Sequence, residues 1–281
     1  MKDQSLVRQE TSSMHPLVSV IIPTLNSGDT LEMCLQSIQN QSYKNTEIIV
    51  VDAFSKDHTQ KIAEKFDAEI FILVAERSPA RNFGAKQAHG NFLLFVDSDM
   101  ELDPRVVEEC VNLSINRNAD AVIIPEESVG ANFVAKCKKM EKTMRLREAY
   151  SEAPRFFREE IFKLVGGYAE EMVLGEDFEL VQRLQNMNFN VGRCDAIIKH
   201  HEGHISIKKL VSKLYFYGKT LPIYLKKEPS LALKTSSPVR FVKSVSLLRR
   251  QPTYFTGLCV LKLVEYSAYL AGAFAYVLNS K

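Results

Sequence analysis

Short unbroken apolar runs alternate along the first half of the chain with stretches whose apolar residues recur every three to four positions. The runs LVSVIIP (17–23), TEIIVVD (46–52), 68–74, NFLLFV (91–96) and ADAVIIP (119–125) are apolar on successive residues, the pattern of strands covered on both faces. Between them, residues 28–40 carry Leu31, Leu35 and Ile38 at helical spacing, and 58–66 and 79–89 read as two further helices. Pro104 suits the first turn of another. Strands and helices in alternation predict an α/β fold with a doubly wound, mostly parallel central sheet flanked by helices.

The pattern changes after residue 125. Residues 126–160 are charged and helical in character, with little apolar periodicity in KCKKMEKTMRLREAY. Gly166-Gly167-Tyr168 marks a turn, Gly175-Glu176-Asp177 precedes a helix with Leu180 and Leu184, and 190–198 offers a last strand. Beyond His200 the texture becomes basic and amphipathic, which places a boundary near Ile205. The expected organisation is a polar tail (1–15), a main domain (16–204) and a basic helical C-terminal extension (205–281).

A chain of 281 residues with 46% hydrophobic content can bury a full core. Its five cysteines are scattered, odd in number and without a CxxC pair, which argues against a disulfide framework and a zinc site. The first 15 residues are polar and charged, unlike a secretory leader, so a cytoplasmic protein is expected. The net charge of +2 conceals a division: from Lys199 onward 14 Lys and Arg meet 3 Asp and Glu, while the remainder holds 22 basic and 31 acidic residues. The acidic part argues against nucleic acid as a partner; the basic tail suits an anionic surface, or is a solvated basic face.

Residues 91–96 empty into Asp97-Ser98-Asp99. In extended chain these two carboxylates point the same way, about 7 Å apart, at the sheet rim where open α/β folds keep their ligands. One can hold a hard divalent cation while the other orients what the cation carries. Oxygen-only ligation favours Mg²⁺ or Mn²⁺, with waters or substrate phosphate oxygens in the shell. By itself the tripeptide also fits a polar turn.

In order, the strand ends carry Pro23-Thr24-Leu25-Asn26, then Asp52 with Ser55 and Asp57, then Arg77 to Arg81-Asn82 with Gly84, then Asp97-Ser98-Asp99. VSVIIPTLN, EIIVVDAFSKDHT and RNFGAKQAHGNFLLFVDSD resemble the nucleotide-sugar-binding half of glycosyltransferase family 2, whose fold is called GT-A. FFREEIFKLVGGYAEEMVLGEDFEL resembles the family's acceptor-side segment, and the similarity runs over residues 16–201. The resemblance implies an inverting, metal-dependent hexosyltransferase using a nucleoside diphosphate sugar, UDP-linked in preference to GDP-linked. The acceptor is then a hydroxyl or phosphate of a glycan or lipid-linked substrate.

The resemblance also implies roles. Pro23 and Thr24 would meet base and ribose, and Asn26 would hold the loop. Asp52 would accept the imide N–H of uracil, a donor that cytosine lacks; a cap closing the strand is the alternative. The family pattern usually continues with a second acid and a glycine, whereas Ala53 and Phe54 stand here. Arg81 would bind a diphosphate oxygen. Asp99 would ligate Mn²⁺ or Mg²⁺ directly, Asp97 would serve the ribose and metal-bound water, and His201 would complete the metal shell or be an ordinary core histidine.

Glu176-Asp177 resembles the family's ED motif, in which Asp177 is the general base that takes the proton of the acceptor hydroxyl. Attack opposite the departing nucleoside diphosphate inverts the anomeric carbon. An acidic pair in a first helical turn also suits the helix dipole without any catalytic part. Arg183 is left between a phosphate and Glu179.

In the tail, ISIKKLVSKLYFYGKTLPIYLKK (205–227) sets Leu210, Leu214 and Tyr217 on one side and Lys208, Lys209 and Lys213 on others, suited to an anionic membrane surface. Residues 254–278 are almost wholly apolar, with Lys262 and Glu265 as their charges. That length can span a bilayer, but two central charges favour an interfacial or core helix unless they pair at their i,i+3 spacing. A peripheral position on the cytoplasmic face of the membrane is expected.

The nearest approach to a QxxRW motif is Gln182-Arg183-Leu184, and several spans are absent, so a non-processive enzyme is expected. Two other classes compete. A sugar-phosphate nucleotidyltransferase would place Lys or Arg in a Gly-rich loop after the first strand, where this chain reads PTLNSGDT. A catalytically silent, membrane-associated nucleotide-sugar-binding module would not need Asp99 and Asp177 together.

Overall fold

The computed structural model describes residues 15–145, 152–172, 175–201, 203, 206–227, 229 and 251–279. In chain order they form β1 (Val18–Thr24), α1 (Leu31–Gln39), β2 (Thr46–Asp52), α2 (Thr59–Lys65), β3 (Glu69–Ile72), α3 (Arg77–Gln87), β4 (Phe92–Phe95), β5 (Met100–Leu102), α4 (Val106–Asn116) and β6 (Ala121–Ile123). There follow β7 (Glu126–Val129), α5 (Phe133–Arg145), β8 (Pro154–Arg158), α6 (Glu159–Leu164), α7 (Glu176–Asn186), β9 (Val191–Arg193), β10 (Ile198–His201), α8 (Ile207–Lys227) and α9 (Pro252–Asn279). Two compact units result: residues 1–126, 153–169 and 180–199 in one, and 127–152, 170–179 and 200–281 in the other. The second unit gathers internal segments with the tail.

The first unit holds a seven-stranded sheet in the order β3-β2-β1-β4-β8-β6-β9. β1 pairs in parallel with β2 and with β4, and β2 with β3. The chain runs outward from β1 through β2 to β3 and then returns to place β4 on the other side of β1. A crevice opens at such a switch point, above the carboxyl ends of the two strands.

Residues 126–160, expected to be helical, contain β7 and β8 on either side of α5. β8 lies antiparallel between β4 and β6, with Phe157 beside both Leu93 and Ala121. Its five residues, PRFFR, are too few to show a period. What fixes them is tertiary: Phe156 and Phe157 are fully buried, and the Phe156 ring stacks on Phe92 at 5.0 Å. The single strand expected over 190–198 is likewise two, β9 and β10, and β5 went unforeseen.

Successive residues of the apolar runs serve opposite faces. Val20 and Ile22 pack with Leu31, Leu35 and Ile38 of α1 and Val106 and Val107 of α4. Ile21, between them, packs with Ala80 and Ala85 of α3, Phe162 of α6 and Leu180 of α7. Each such burial contributes roughly 1.5–3 kcal/mol, which is what a strand apolar on successive residues gains by being covered on both faces. Gly84 lets α3 lie close on β1, since a Cβ there would come within 2.5 Å of Ile21.

In the second unit α9 packs on α8 and α5. Its crossing with α8 is a close backbone approach: a Cβ on Gly218 would stand 2.0 Å from Tyr269 O, and one on Gly272 2.0 Å from Tyr215 O. Lys262 and Glu265 do pair at 2.5 Å, and two charges from α5 join them. Lys262 reaches Glu141 at 2.6 Å, while Lys138 reaches Glu141 at 2.6 Å and Glu265 at 3.0 Å. Burial pulls the Lys138 ammonium down, and the two carboxylates more than offset it, so its pKa lies above the usual lysine range. Opposite this quartet, Leu263, Leu270, Phe274 and Val277 form an exposed apolar stripe.

Candidate active site

The crevice is built first by the loops after β1 and β2. Thr24 and Asp52, the last residues of the two strands, lie side by side in register. Asp52 is fully buried, and its carboxylate accepts four hydrogen bonds. Thr24 Oγ1 (2.7 Å) and Ser55 Oγ (2.5 Å) donate to Oδ1, and Ser55 N (2.9 Å) and Gln60 Nε2 (2.8 Å) donate to Oδ2. Burial raises the Asp52 pKa, but these donors more than offset it and hold the group below its ordinary value. A carboxylate has about four acceptor positions, all taken here by the protein. Asp52 thus caps its strand, and an imide N–H from a base would have to displace a donor. Half-exposed Gln60, a side chain on the first turn of α2, is the one most readily displaced.

Further bonds staple the two loops together. Asn26, at φ 50°, donates its N–H to Ser55 Oγ and accepts from Lys56 N at Oδ1, both at 2.8 Å. Asp57 accepts from Gly28 N (2.9 Å), and Ser27 N donates to Thr59 Oγ1 (2.8 Å). The hydroxyls of Ser27 and Ser98 lie 2.8 Å apart, tying the loop after β4 to the other two. Asn26 therefore bridges the loops after β1 and β2. Pro23, half-buried at the end of β1, stands beside Val51.

At the end of β4, Arg81 Nη2 meets Asp97 Oδ1 at 2.6 Å, and Arg155 Nη2 meets Oδ2 at 3.3 Å. Burial alone would raise the Asp97 pKa; the charges of Arg81, Arg155 and Arg77 outweigh it and hold the carboxyl well below the usual range. The side chain of Arg81 is only 1% exposed, and its guanidinium also lies 5.1 Å from the ring centre of Tyr168. Arg81 thus fixes Asp97, the first carboxylate of the tripeptide. Arg155 was not foreseen because it lies on β8, the strand hidden in a segment that reads as helical.

The Gly166-Gly167-Tyr168 turn is held beneath this pair. Both glycines have positive φ, at 86° and 69°, and Asn82 both donates to Tyr168 O and accepts from Tyr168 N at 2.8 Å. Arg183 donates to Val165 O and to Gly167 O (2.6 Å), so its charge serves the turn.

Asp99 is half-buried beyond Asp97. Behind them is Cys34, whose thiol is pushed far up by burial and by the charges of Asp99 and Asp97. Among the described residues no three His, Cys, Asp or Glu side chains converge as a metal cage. Asp99 beside an arginine-bound Asp97 is a hard and sparse donor set, which fits Mg²⁺ or Mn²⁺ held largely by substrate oxygens and water. Glu176 is buried and Asp177 half-exposed in the first turn of α7, after Gly175 at φ 77°. These two and His201, half-exposed on β10, belong to the second compact unit. His200 Nδ1 lies 3.3 Å from Lys142 Nζ, while Glu202 and His204 fall outside the described residues.

Three stapled loops lie over the switch point of the sheet, with paired carboxylates at the end of β4, in the GT-A fold of a glycosyltransferase. The family model described as "Glycosyl transferase family 2" matches residues 19–166, and the chain belongs to that family. It is 25% identical to the glycosyltransferase AglE of Haloferax volcanii over 74% of each chain. It is 33% identical to WfgD of Escherichia coli, a UDP-Glc:alpha-D-GlcNAc-diphosphoundecaprenol beta-1,3-glucosyltransferase, over 42% of this chain and 51% of that one. The fold is similar to that of the mannosyltransferase PcManGT of Pyrobaculum calidifontis, whose structure holds GDP-Man and Mn²⁺. That likeness has a TM-score of 0.63 at 15% identity and covers 96% of this chain and 89% of the other.

Proposed function

We propose that the protein is an inverting, non-processive glycosyltransferase that moves a hexose from a nucleoside diphosphate sugar to a glycan or lipid-linked acceptor. The observation that carries this reading is the crevice at the switch point, where Asp97 is fixed by two arginines and Asp99 stands beside it. Asp99 would hold Mn²⁺ or Mg²⁺, which supplies positive charge to the departing diphosphate. Asp97, kept ionised by Arg81 and Arg155, orients the ribose. Half-exposed Asp177 is the general base that accepts the acceptor proton, and buried Glu176 positions the turn that presents it.

The donor is proposed to be UDP-linked, with a GDP-sugar as the alternative; WfgD, a relative, is named for UDP-Glc, and PcManGT binds GDP-Man. WfgD also acts on a diphosphoundecaprenol-linked sugar, which supports a lipid-linked acceptor here. The exposed stripe of α9 and the exposed Lys208, Lys209 and Lys213 of α8 support a peripheral position on the cytoplasmic face of a membrane. By length and composition α9 is, among the described residues, the helix apolar enough to cross a bilayer. Its charge quartet, with Glu141 and Glu265 buried, favours packing on α5 over spanning.

A panel of UDP- and GDP-sugars with Mn²⁺ or Mg²⁺, read by release of nucleoside diphosphate, tests the proposal. Turnover with at least one donor, lost on chelation, is expected. No binding and no release with any donor would sink it.

A further inference from the structure

Phe54 stands where the backbone least suits it. Its φ is 65°, a left-handed conformation that favours glycine and that bulky side chains rarely adopt. The ring is nevertheless not used in the core, being 55% exposed. The chain on either side is fixed: Asp52 binds Ser55 through both its N–H and its hydroxyl, and Asn26 takes Ser55 Oγ and Lys56 N. A pinned, strained loop thus holds an aromatic ring in water two residues from the buried carboxylate of Asp52. Strain of this kind persists only where the surroundings enforce it, and it collects at ligand sites.

Two further features fit a planar ligand. Leu25, on the loop stapled to this one, is 60% exposed beside Asn26 and offers a second apolar surface. The Lys56 ammonium lies over one face of the Phe54 ring, 4.2 Å from its centre, so a base would stack on the opposite face or take the place of that ammonium. The edge-reading group next door, Asp52, is already saturated by protein donors. Affinity for a base at this rim must then come mostly from its face.

We propose that Phe54 is the base-stacking residue of the donor site, with Leu25 as the apolar wall beside it. The inference rests on the nucleotide-sugar reading and deepens it. Stacking tolerates any base, so Phe54 determines affinity for the nucleoside more than the choice between uracil and guanine.

The test uses the full chain, which contains no tryptophan. Phe54→Gly is expected to raise the melting temperature, because glycine relieves the backbone, and to weaken UDP binding about tenfold or more, as loss of a stacked base does. Phe54→Trp is expected to keep the affinity and to report UDP by quenching of its single indole. A Phe54→Gly protein that binds UDP as tightly as the parent, or a Phe54→Trp indole blind to saturating UDP, overturns the inference while leaving the donor reading intact. A parent that binds neither UDP nor GDP overturns the donor reading and this inference with it.

Discussion

Arg81 Nη2 lies 2.6 Å from Asp97 Oδ1, an ion pair in which the arginine is almost wholly buried. The pair turns the first carboxylate of the DSD tripeptide from a flexible turn residue into a fixed one. Arg81→Met strips Asp97 of its closest partner and leaves a charge in the interior. A loss of roughly 3 kcal/mol, at the low end for breaking a buried pair because Arg155 remains, is expected from urea unfolding at pH 7.

The same pair sets a pH dependence. The folded-state pKa of Asp97 is depressed, so its contribution is fully present above its unfolded value and is lost as pH falls through the lower folded value. The stability gap between the parent and Arg81→Met should therefore be constant from neutral pH down to about 4 and narrow below it. Unfolding curves across that range measure it; a gap that widens in acid would contradict the assignment.

At Asp52 the crowding of donors separates two effects. Asp52→Asn puts an amide N–H among hydrogen-bond donors and should cost about 1–3 kcal/mol of stability. Gln60→Ala instead removes a competitor from Oδ2 and should tighten UDP binding severalfold with CDP unchanged, since cytosine lacks the imide N–H. Calorimetric titration with the two nucleotides decides it, and equal gains for both would show that no imide reaches Asp52.

The proposed membrane face of α9 is open to a similar separation. Leu263 and Phe274 are 71% and 65% exposed on the side away from the charge quartet, so Leu263→Glu with Phe274→Glu should leave the melting temperature unchanged. Flotation with anionic liposomes at low salt should fall at least tenfold. Undiminished flotation would move the lipid contact elsewhere.

The first four strands and their helices were legible because VSVIIPT and TEIIVVD carry unbroken apolar stretches (20–22 and 48–51) between helical patterns, as strands covered on both faces do. β8 was not: RFFR has no measurable period, and its place between β4 and β6 is set by Phe92, Leu93 and Ala121, all distant in sequence. With β8 went Arg155. The Asp97-Ser98-Asp99 tripeptide could be found from its place at a strand end, and Asn26 stood out through the family resemblance. That Arg81 faces inward and that Asp52 is saturated could not, because both depend on side-chain partners chosen by tertiary packing. For Lys262 and Glu265 the i,i+3 spacing foretold the pair, whereas the Lys138 and Glu141 half of the quartet came from α5.

The central claim is sugar transfer from a nucleotide donor with Asp177 as base. It is tested most directly by comparing the parent with Asp177→Asn for nucleoside diphosphate release from the preferred donor and for UDP affinity. Asp177 is half-exposed in a first helical turn, so the substitution should cost less than about 1 kcal/mol of stability. Turnover is expected to fall by about 10²–10⁴-fold with UDP affinity unchanged. Turnover equal to the parent's would contradict the account.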